Sequence, residues 1–447
     1  MDWEDLAREL SQQTDTKIVL LVMDGVGGLP ADGQSELEAA RKPNLDALAK
    51  AGVCGLSDPV MMGITPGSGP SHLALFGYDP LEYQLGRGIL EALGSGVEVG
   101  RNDLVARGNF ATFRDGLVAD RRAGRIPTEE NIRICEYLNA HLPKREGVEV
   151  RVFPGKEHRF VARFTADGLA DALSDDDPQK EGKAPVPATA LAAGAAKAAE
   201  VVNRFLDDVA EVLKGEPKAN AALLRGFSKF PSIPTMPALF KLRPAAIANY
   251  PMYRGLAKLL GMEVIGVGAE TADLFDALEK AWADLDFFYV HYKKTDSAGE
   301  DGRFEAKVAA IEAFDPFLPR VAALKPDVLV VTSDHSTPSC LKGHSWHPNP
   351  FMLVSPTAGS DDVAVFTERA CAKGMLGRFR SISAMPLMLA HALKLQKYGA
   401  EREWGHERGH VPPVRVPCLR RTGTRTKRTC PLLGLPIPPM DNWGKVI

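Results

Sequence analysis

The first pattern along the chain is an apolar run from Lys17 to Met23, Ile18-Val19-Leu20-Leu21-Val22-Met23 at its heart, which stops at Asp24-Gly25. A run without alternation predicts a strand buried on both faces, as in a parallel sheet. From about Pro43 the apolar positions Leu45, Leu48 and Ala49 take helical spacing, with Gly52 as the stop. The same grammar returns late in the chain. Residues 262–267, 286–290, 328–331 and 351–355 read as strands, and 251–260, 271–283 and 303–323 as helices between or beside them. Alternating strands and helices predict an α/β fold built on a doubly wound sheet.

Between about residues 85 and 245 the pattern changes. Short strand-like pieces at 104–113, 149–153 and 158–164 carry many arginines, and an alanine-rich helix fills roughly 187–214. Residues 182–187, just after the acidic Asp175-Asp176-Asp177-Pro178, read as a surface loop. The expected plan is a smaller α+β domain at 85–245, inserted into a discontinuous domain at 1–84 and 246–400. Residues 401–447 hold seven prolines and nine lysines or arginines with little periodicity, which predicts an irregular extension. Its His406, His410, Cys418 and Cys430 resemble a zinc ligand pattern, but the eleven residues between the cysteines argue against a short knuckle.

Composition narrows the class. With 447 residues, 45% hydrophobic, the chain can bury the cores of two domains. Its 54 basic and 57 acidic side chains nearly cancel, against a general nucleic-acid or membrane surface. No apolar run approaches the roughly 18 residues of a membrane span, and the acidic start Met1-Asp2-Trp3-Glu4-Asp5 is unlike a secretory signal. Six scattered cysteines lack the density of a disulfide scaffold. A cytoplasmic protein is expected, with self-association left open.

The candidate chemistry gathers at predicted strand ends. Asp24 closes the first strand, Asp296 and Glu300 follow the strand at 286–290, and Asp334-His335 ends the strand at 328–331, with His344 and His347 soon after. Thr65-Pro66-Gly67-Ser68-Gly69-Pro70-Ser71-His72 is a glycine-rich turn into a helix, which puts Ser68 near the positive end of the helix dipole. Ligands of open α/β sheets collect at the carboxyl ends of strands, so these groups can meet at one edge. Singly, each is an ordinary cap or turn residue. Together, three aspartates, a glutamate and two or three histidines suit a pair of divalent cations such as Mn²⁺, Zn²⁺ or Mg²⁺. Such a pair can make a serine hydroxyl nucleophilic and assist phosphoryl transfer. Residue types alone give a two-metal hydrolase or transferase.

The ordered motifs Asp24-Gly25, Thr65-Pro66-Gly67-Ser68, Thr295-Asp296-Ser297-Ala298-Gly299, Ser333-Asp334-His335-Ser336-Thr337-Pro338 and His344-Ser345 resemble the alkaline phosphatase superfamily. Within it they resemble the archaeal-type, 2,3-bisphosphoglycerate-independent phosphoglycerate mutases. Phe76-Gly77-Tyr78-Asp79-Pro80, Leu85-Gly86-Arg87-Gly88, Glu91-Ala92-Leu93-Gly94, Asn109-Phe110-Ala111-Thr112 and Asp120-Arg121-Arg122-Ala123-Gly124-Arg125 fit as well, so the resemblance covers about residues 16–400.

The resemblance implies interconversion of 2- and 3-phosphoglycerate through phosphoserine at Ser68, in glycolysis and gluconeogenesis, with two divalent ions and no 2,3-bisphosphoglycerate. A metal-dependent phosphatase or another phosphomutase is the alternative. Asp24, Ser68, Asp334 and His335 would hold one ion, and Asp296, Glu300 and His344 the other. The family's usual aspartate–four–histidine motif is departed from here, because position 300 is glutamate, a harder donor that shifts preference from Zn²⁺ toward Mn²⁺ or Mg²⁺; Mn²⁺ is the expected ion, with Mg²⁺, Zn²⁺ and Co²⁺ as alternatives. Arg107, Asp120, Arg121, Arg125, His158, Arg159, Arg225 and Lys241 match family positions near the substrate, where arginine forks suit carboxylate and phosphate. Closure of the inserted domain is expected, with hinges near 80–90 and 240–250.

Overall fold

The computed structural model describes residues 3–30 and 33–399. The extension at 401–447, with its two histidines and two cysteines, lies outside the described residues. The strands, numbered along the chain, are β1 Ile18–Met23, β2 Val53–Asp58, β3 Asp103–Arg114, β4 Leu117–Asp120, β5 Glu149–Pro154, β6 Arg159–Thr165, β7 Ala221–Lys229, β8 Pro244–Ile247, β9 Glu263–Ile265, β10 Phe287–Tyr292, β11 Val328–Thr332, β12 Asn349–Val354 and β13 Gly377–Arg380. The described residues form two compact units, one from 3–79, 237–247 and 267–399, the other from 80–236 and 248–266.

In the first unit the strands lie in the order β13-β2-β12-β11-β1-β10-β8. All six side chains of β1 are buried, as are all of β10 and β11, which explains why these segments read as unbroken apolar runs. β1 pairs in parallel with β10 on one side and β11 on the other. The sheet is not wholly parallel, since β12 runs antiparallel to both β11 and β2. Strands β2, β8 and β13 were not legible. β8 and β13 have four residues each, and β2 is interrupted by a glycine and a serine.

The second unit is α+β. β3 is its central strand, antiparallel to β6 and β7, with β4 paired at its far end and β5 outside β6. One face of this sheet packs Ala106, Phe110, Phe160 and Phe164 against Ile134 and Leu138 of the helix Thr128–His141 and Val202 and Phe205 of the helix Ala196–Val212. That last helix is shorter than expected: a 3-10 turn at Ala193–Ala195, with Gly194 at its centre, precedes it, behind a stretch containing Pro185 and Pro187. The helix Pro251–Leu259 also belongs here, although the sequence placed it with the first domain. Gly255 is the reason, because a Cβ there would lie 2.3 Å from the Leu90 carbonyl oxygen of the helix Arg87–Gly94.

Candidate active site

Three neighbouring strands of the first unit end at one place. β1 delivers Asp24, β10 leads to Lys293 and Asp296, and β11 leads to Asp334 and His335, all but Lys293 fully buried. The loops approach too closely for a side chain at position 25. Gly25 has φ 63°, and a Cβ there would lie 2.5 Å from Thr337 Oγ1 and 2.6 Å from Asp296 Oδ1. Beneath them the buried Lys307 Nζ donates to the Gly27 and Thr337 carbonyls at 3.0 and 2.8 Å, tying the loop after β1 to the loop after β11.

Ser68 opens the helix Ser68–Leu75, with Gly67 extended as its cap. Its Oγ lies 3.2 Å from His335 Nε2, which is also 3.3 Å from Asp24 Oδ1 and 3.1 Å from Asp334 Oδ2. Thr337 determines the state of that imidazole. Its hydroxyl donates to Asp296 Oδ1 at 2.6 Å, so its oxygen accepts from His335 Nδ1–H at 2.9 Å, and the lone pair stands on Nε2. The His344 ring stacks on His335 at 3.5 Å. Its Nδ1–H donates to the Pro66 carbonyl at 3.0 Å, which leaves Nε2 as the acceptor, 3.9 Å from Asp296 Oδ1 and 3.8 Å from Glu300 Oε1.

Two donor groups result: Asp24, Asp334 and His335, and Asp296, His335 and His344, each with ligand atoms within 4.8 Å of one another. Three wholly buried carboxylates share the Lys293 ammonium, 3.0 Å from Asp24 Oδ2 and 2.5 Å from Asp296 Oδ2. Burial alone would raise Asp24, but Lys293 and His291 hold its carboxyl well below the ordinary range. Burial and the neighbouring Asp24 push Asp334 well above it. Burial takes His335 down to about 3, so it is a neutral donor at neutral pH. Buried oxygen and neutral nitrogen donors with surplus negative charge fit divalent cations. Glu300 stands apart from both groups, its side chain 53% exposed and its carboxyl raised by burial and Asp296. His347 hydrogen-bonds Ser345 Oγ at 3.1 Å through Nδ1 and is in neither group.

The second unit has its own polar pocket, about 210 Å³, lined by Arg107, Arg121, Arg125, His158, Arg159 and Arg225 together with Asn109, Arg122 and Glu157. Sheet register assembles it. On β3, Arg107 lies opposite Arg225 of β7, and Asn109 opposite Arg159 of β6, so residues far apart in sequence share one face. Like charges side by side cost stability unless an anion joins them. Burial, with the nearby Arg159 and Arg87, pulls Arg107 below its usual value against the pull of Glu91. Burial and Arg159 bring His158 down to about 4, so it is neutral.

Two expected substrate residues sit elsewhere. Asp120 does not line the pocket; its carboxylate accepts the Arg122 and Gly124 amides, both at 2.7 Å. It holds the turn in which Ala123, Gly124 and Arg125 all have positive φ, a strained loop that presents Arg121, Arg122 and Arg125. Lys241 belongs to the first unit, where its Nζ donates to the Ser11 carbonyl. Sequence reasoning missed His72, His291 and Lys293. His72 Nδ1 donates to the Ser68 carbonyl at 2.9 Å, and His291 Nε2 to Asp24 Oδ2 at 2.9 Å. His291 carried a signal, a lone histidine in the apolar strand β10.

A Thermotoga neapolitana protein named probable 2,3-bisphosphoglycerate-independent phosphoglycerate mutase is 54% identical over 400 residues, 90% of this chain and all of that relative. The chain belongs to the 2,3-bisphosphoglycerate-independent phosphoglycerate mutase family. The family's model, described by that same phrase, matches residues 49–219. A Thermus thermophilus relative with the same name is 52% identical over 406 residues, again along its whole length and 90% of this chain. Among solved structures, the cofactor-independent phosphoglycerate mutase of Thermoplasma acidophilum is similar with TM-score 0.67 and 29% identity, over 84% of this chain and all of that one. A Pyrococcus horikoshii protein is similar with TM-score 0.74 and 28% identity, over 86% of this chain and 99% of that one.

Proposed function

We propose that this family member interconverts 2- and 3-phosphoglycerate through a phosphoserine at Ser68, serving glycolysis and gluconeogenesis in the cytoplasm. The observation that carries the reading is Ser68 Oγ at the head of a helix, 3.2 Å from His335 Nε2 and beside two groups of metal donors. One divalent cation would be held by Asp24, Asp334 and His335 with Ser68, and another by Asp296 and His344, with Glu300 as an outer oxygen donor. Bound there, the cations supply positive charge that favours the serine alkoxide and offsets the phosphoryl oxygens. The preponderance of carboxylate donors favours Mn²⁺ or Mg²⁺ over Zn²⁺ or Co²⁺.

Ser68 Oγ gives up its proton and takes the phosphoryl group, and the substrate oxygen keeps the bonding pair and takes up a proton in its place. The helix N-terminus favours the negative charge that gathers at the phosphorylated serine. The arginine pocket of the second unit, rich in forked donors, takes the anionic groups of the substrate and of the glycerate left behind. Glycerate then offers its other hydroxyl, and the phosphoryl group returns to it.

The test is an enolase-coupled assay of protein stripped of metal and reloaded with Mn²⁺, Mg²⁺, Zn²⁺ or Co²⁺ in turn. Turnover of 3-phosphoglycerate is expected, with phosphate on Ser68 in quenched enzyme and none in Ser68→Ala, which should be inactive. Release of inorganic phosphate in place of the isomer would make the chain a phosphatase. Near-normal turnover by Ser68→Ala would overturn the covalent route.

A further inference from the structure

The acidic run Asp175-Asp176-Asp177 precedes a surface loop, yet Asp176 and Asp177 are only 2% and 5% exposed. Each carboxylate has a defined task along β7. Asp175 Oδ1 accepts the Gly226 amide at 2.8 Å, and Asp176 Oδ1 accepts the Leu224 amide, so the run is stitched to the strand on either side of Arg225. Asp177 then meets the arginines themselves. Its Oδ1 accepts Arg121 Nε–H at 2.9 Å and its Oδ2 accepts Arg121 Nη2–H at 2.5 Å, while Arg225 Nη1 lies 3.7 Å from Oδ2. The Gln179 amide, donating to Oδ1 at 2.8 Å, fixes the carboxylate in turn.

A guanidinium has five N–H donors. Asp177 occupies two on one edge of Arg121, leaving three, and Arg121 lines the pocket whereas Asp177 does not. We propose that Asp177 is a positioning residue that grips one edge of Arg121 from behind and so sets the free edge that the arginine pocket offers an anionic substrate. This rests on the reading of the pocket as the phosphoglycerate anion site. An ion pair that merely stabilised the fold would leave ligand affinity unchanged once the protein was folded. A brace acts on affinity, and it acts mainly through Arg121, which holds it by two hydrogen bonds while Arg225 stands 3.7 Å off.

The Mn²⁺-loaded full chain tests this with two readouts, KM and kcat for 3-phosphoglycerate and calorimetric binding of inorganic phosphate, in a cycle of wild type, Asp177→Asn, Arg121→Ala and the double variant. Asp177→Asn should raise KM about tenfold, as loss of one charged hydrogen-bond pair would, lower kcat by less, and weaken phosphate binding in proportion. In the Arg121→Ala background the same change should add less than about twofold, the signature of action through one partner. Arg121→Lys keeps the charge but cannot bridge both carboxylate oxygens; it should bind phosphate like Asp177→Asn, and it serves if Asp177→Asn does not fold. Unchanged or tighter binding in Asp177→Asn, wild-type affinity in Arg121→Lys, or the full effect persisting without Arg121 would overturn the proposal. A wild-type protein that bound phosphate but did not turn over phosphoglycerate would count against the mutase reading alone, and the phosphate cycle would still decide on Asp177.

Discussion

Thr337 Oγ1 has one proton, and Asp296 Oδ1 at 2.6 Å can only accept it, so the tautomer of His335 follows from a neighbour two residues on. Hydrogen bonds of this outer kind commonly change metal affinity by about 10–100-fold when removed. Thr337→Val should therefore weaken divalent-metal binding by about that factor, and Thr337→Ser should restore it, in titration calorimetry of stripped protein. Glu300 is a sharper case because it stands outside both donor groups. Glu300→Ala should loosen one of two bound ions, and Glu300→His should move metal preference toward Zn²⁺. Two tightly bound ions in the alanine variant would remove Glu300 from the ligand set. At this scale the sequence was most legible where a strand stops on a carboxylate: Asp24, Asp296 and Asp334 with His335 and His344 meet at one sheet edge. His291 and Lys293 lie inside or directly after β10, where position alone looks structural, and Lys241 was one cation among many until its carbonyl partner was visible.

Elements of the second unit carry titrating groups of opposite sign. Burial raises Asp176 from its ordinary 3.8 to about 8, against the pull of the Leu224 amide. The folded state thus holds a proton that the unfolded chain gives up. The stability this contributes is full below about pH 4 and is lost as pH rises toward 8. Asp176→Asn mimics the protonated acid, so its advantage over wild type should grow between pH 5 and pH 8, to a few kcal/mol at most, in urea unfolding. His158 works the other way, since its folded value of about 4 lies below the ordinary 6.5. Stability falls as acid protonates the unfolded chain between those values, and His158→Gln should flatten that part of the profile. The elements themselves were legible in part. β3, β5 and β6 fall within a residue or two of expectation, whereas nine-residue β7 was missed and four-residue β4, β8 and β13 are too short for a pattern. The antiparallel sense of β12 is set by its partners rather than by its own composition.

For the whole molecule, relatives matched along their entire length account for about 400 residues of this chain. Truncation after residue 400 should leave mutase turnover and the count of bound metals unchanged, measured by the coupled assay and by metal analysis. A folded but inactive product would give the extension a part in the reaction. No helix among the described residues is long and apolar enough to cross a membrane. The compact units divide between residues 79 and 80, near the change in texture at about residue 85, and the helix Pro251–Leu259 falls in the second of them. Its allegiance depends on one glycine meeting a distant carbonyl.

The order of the strands has a consequence in time. β1 is an interior strand of the first unit, paired on both sides, yet its partner Phe287 lies about 270 residues after Ile18, on the order of 15–50 s of ribosomal synthesis. The second unit's strands, all between residues 103 and 229, can pair well before that. The chain therefore makes its arginine-bearing sheet while the apolar β1 still waits for both neighbours, and a growing chain is most exposed to chaperones and to aggregation at its first strand.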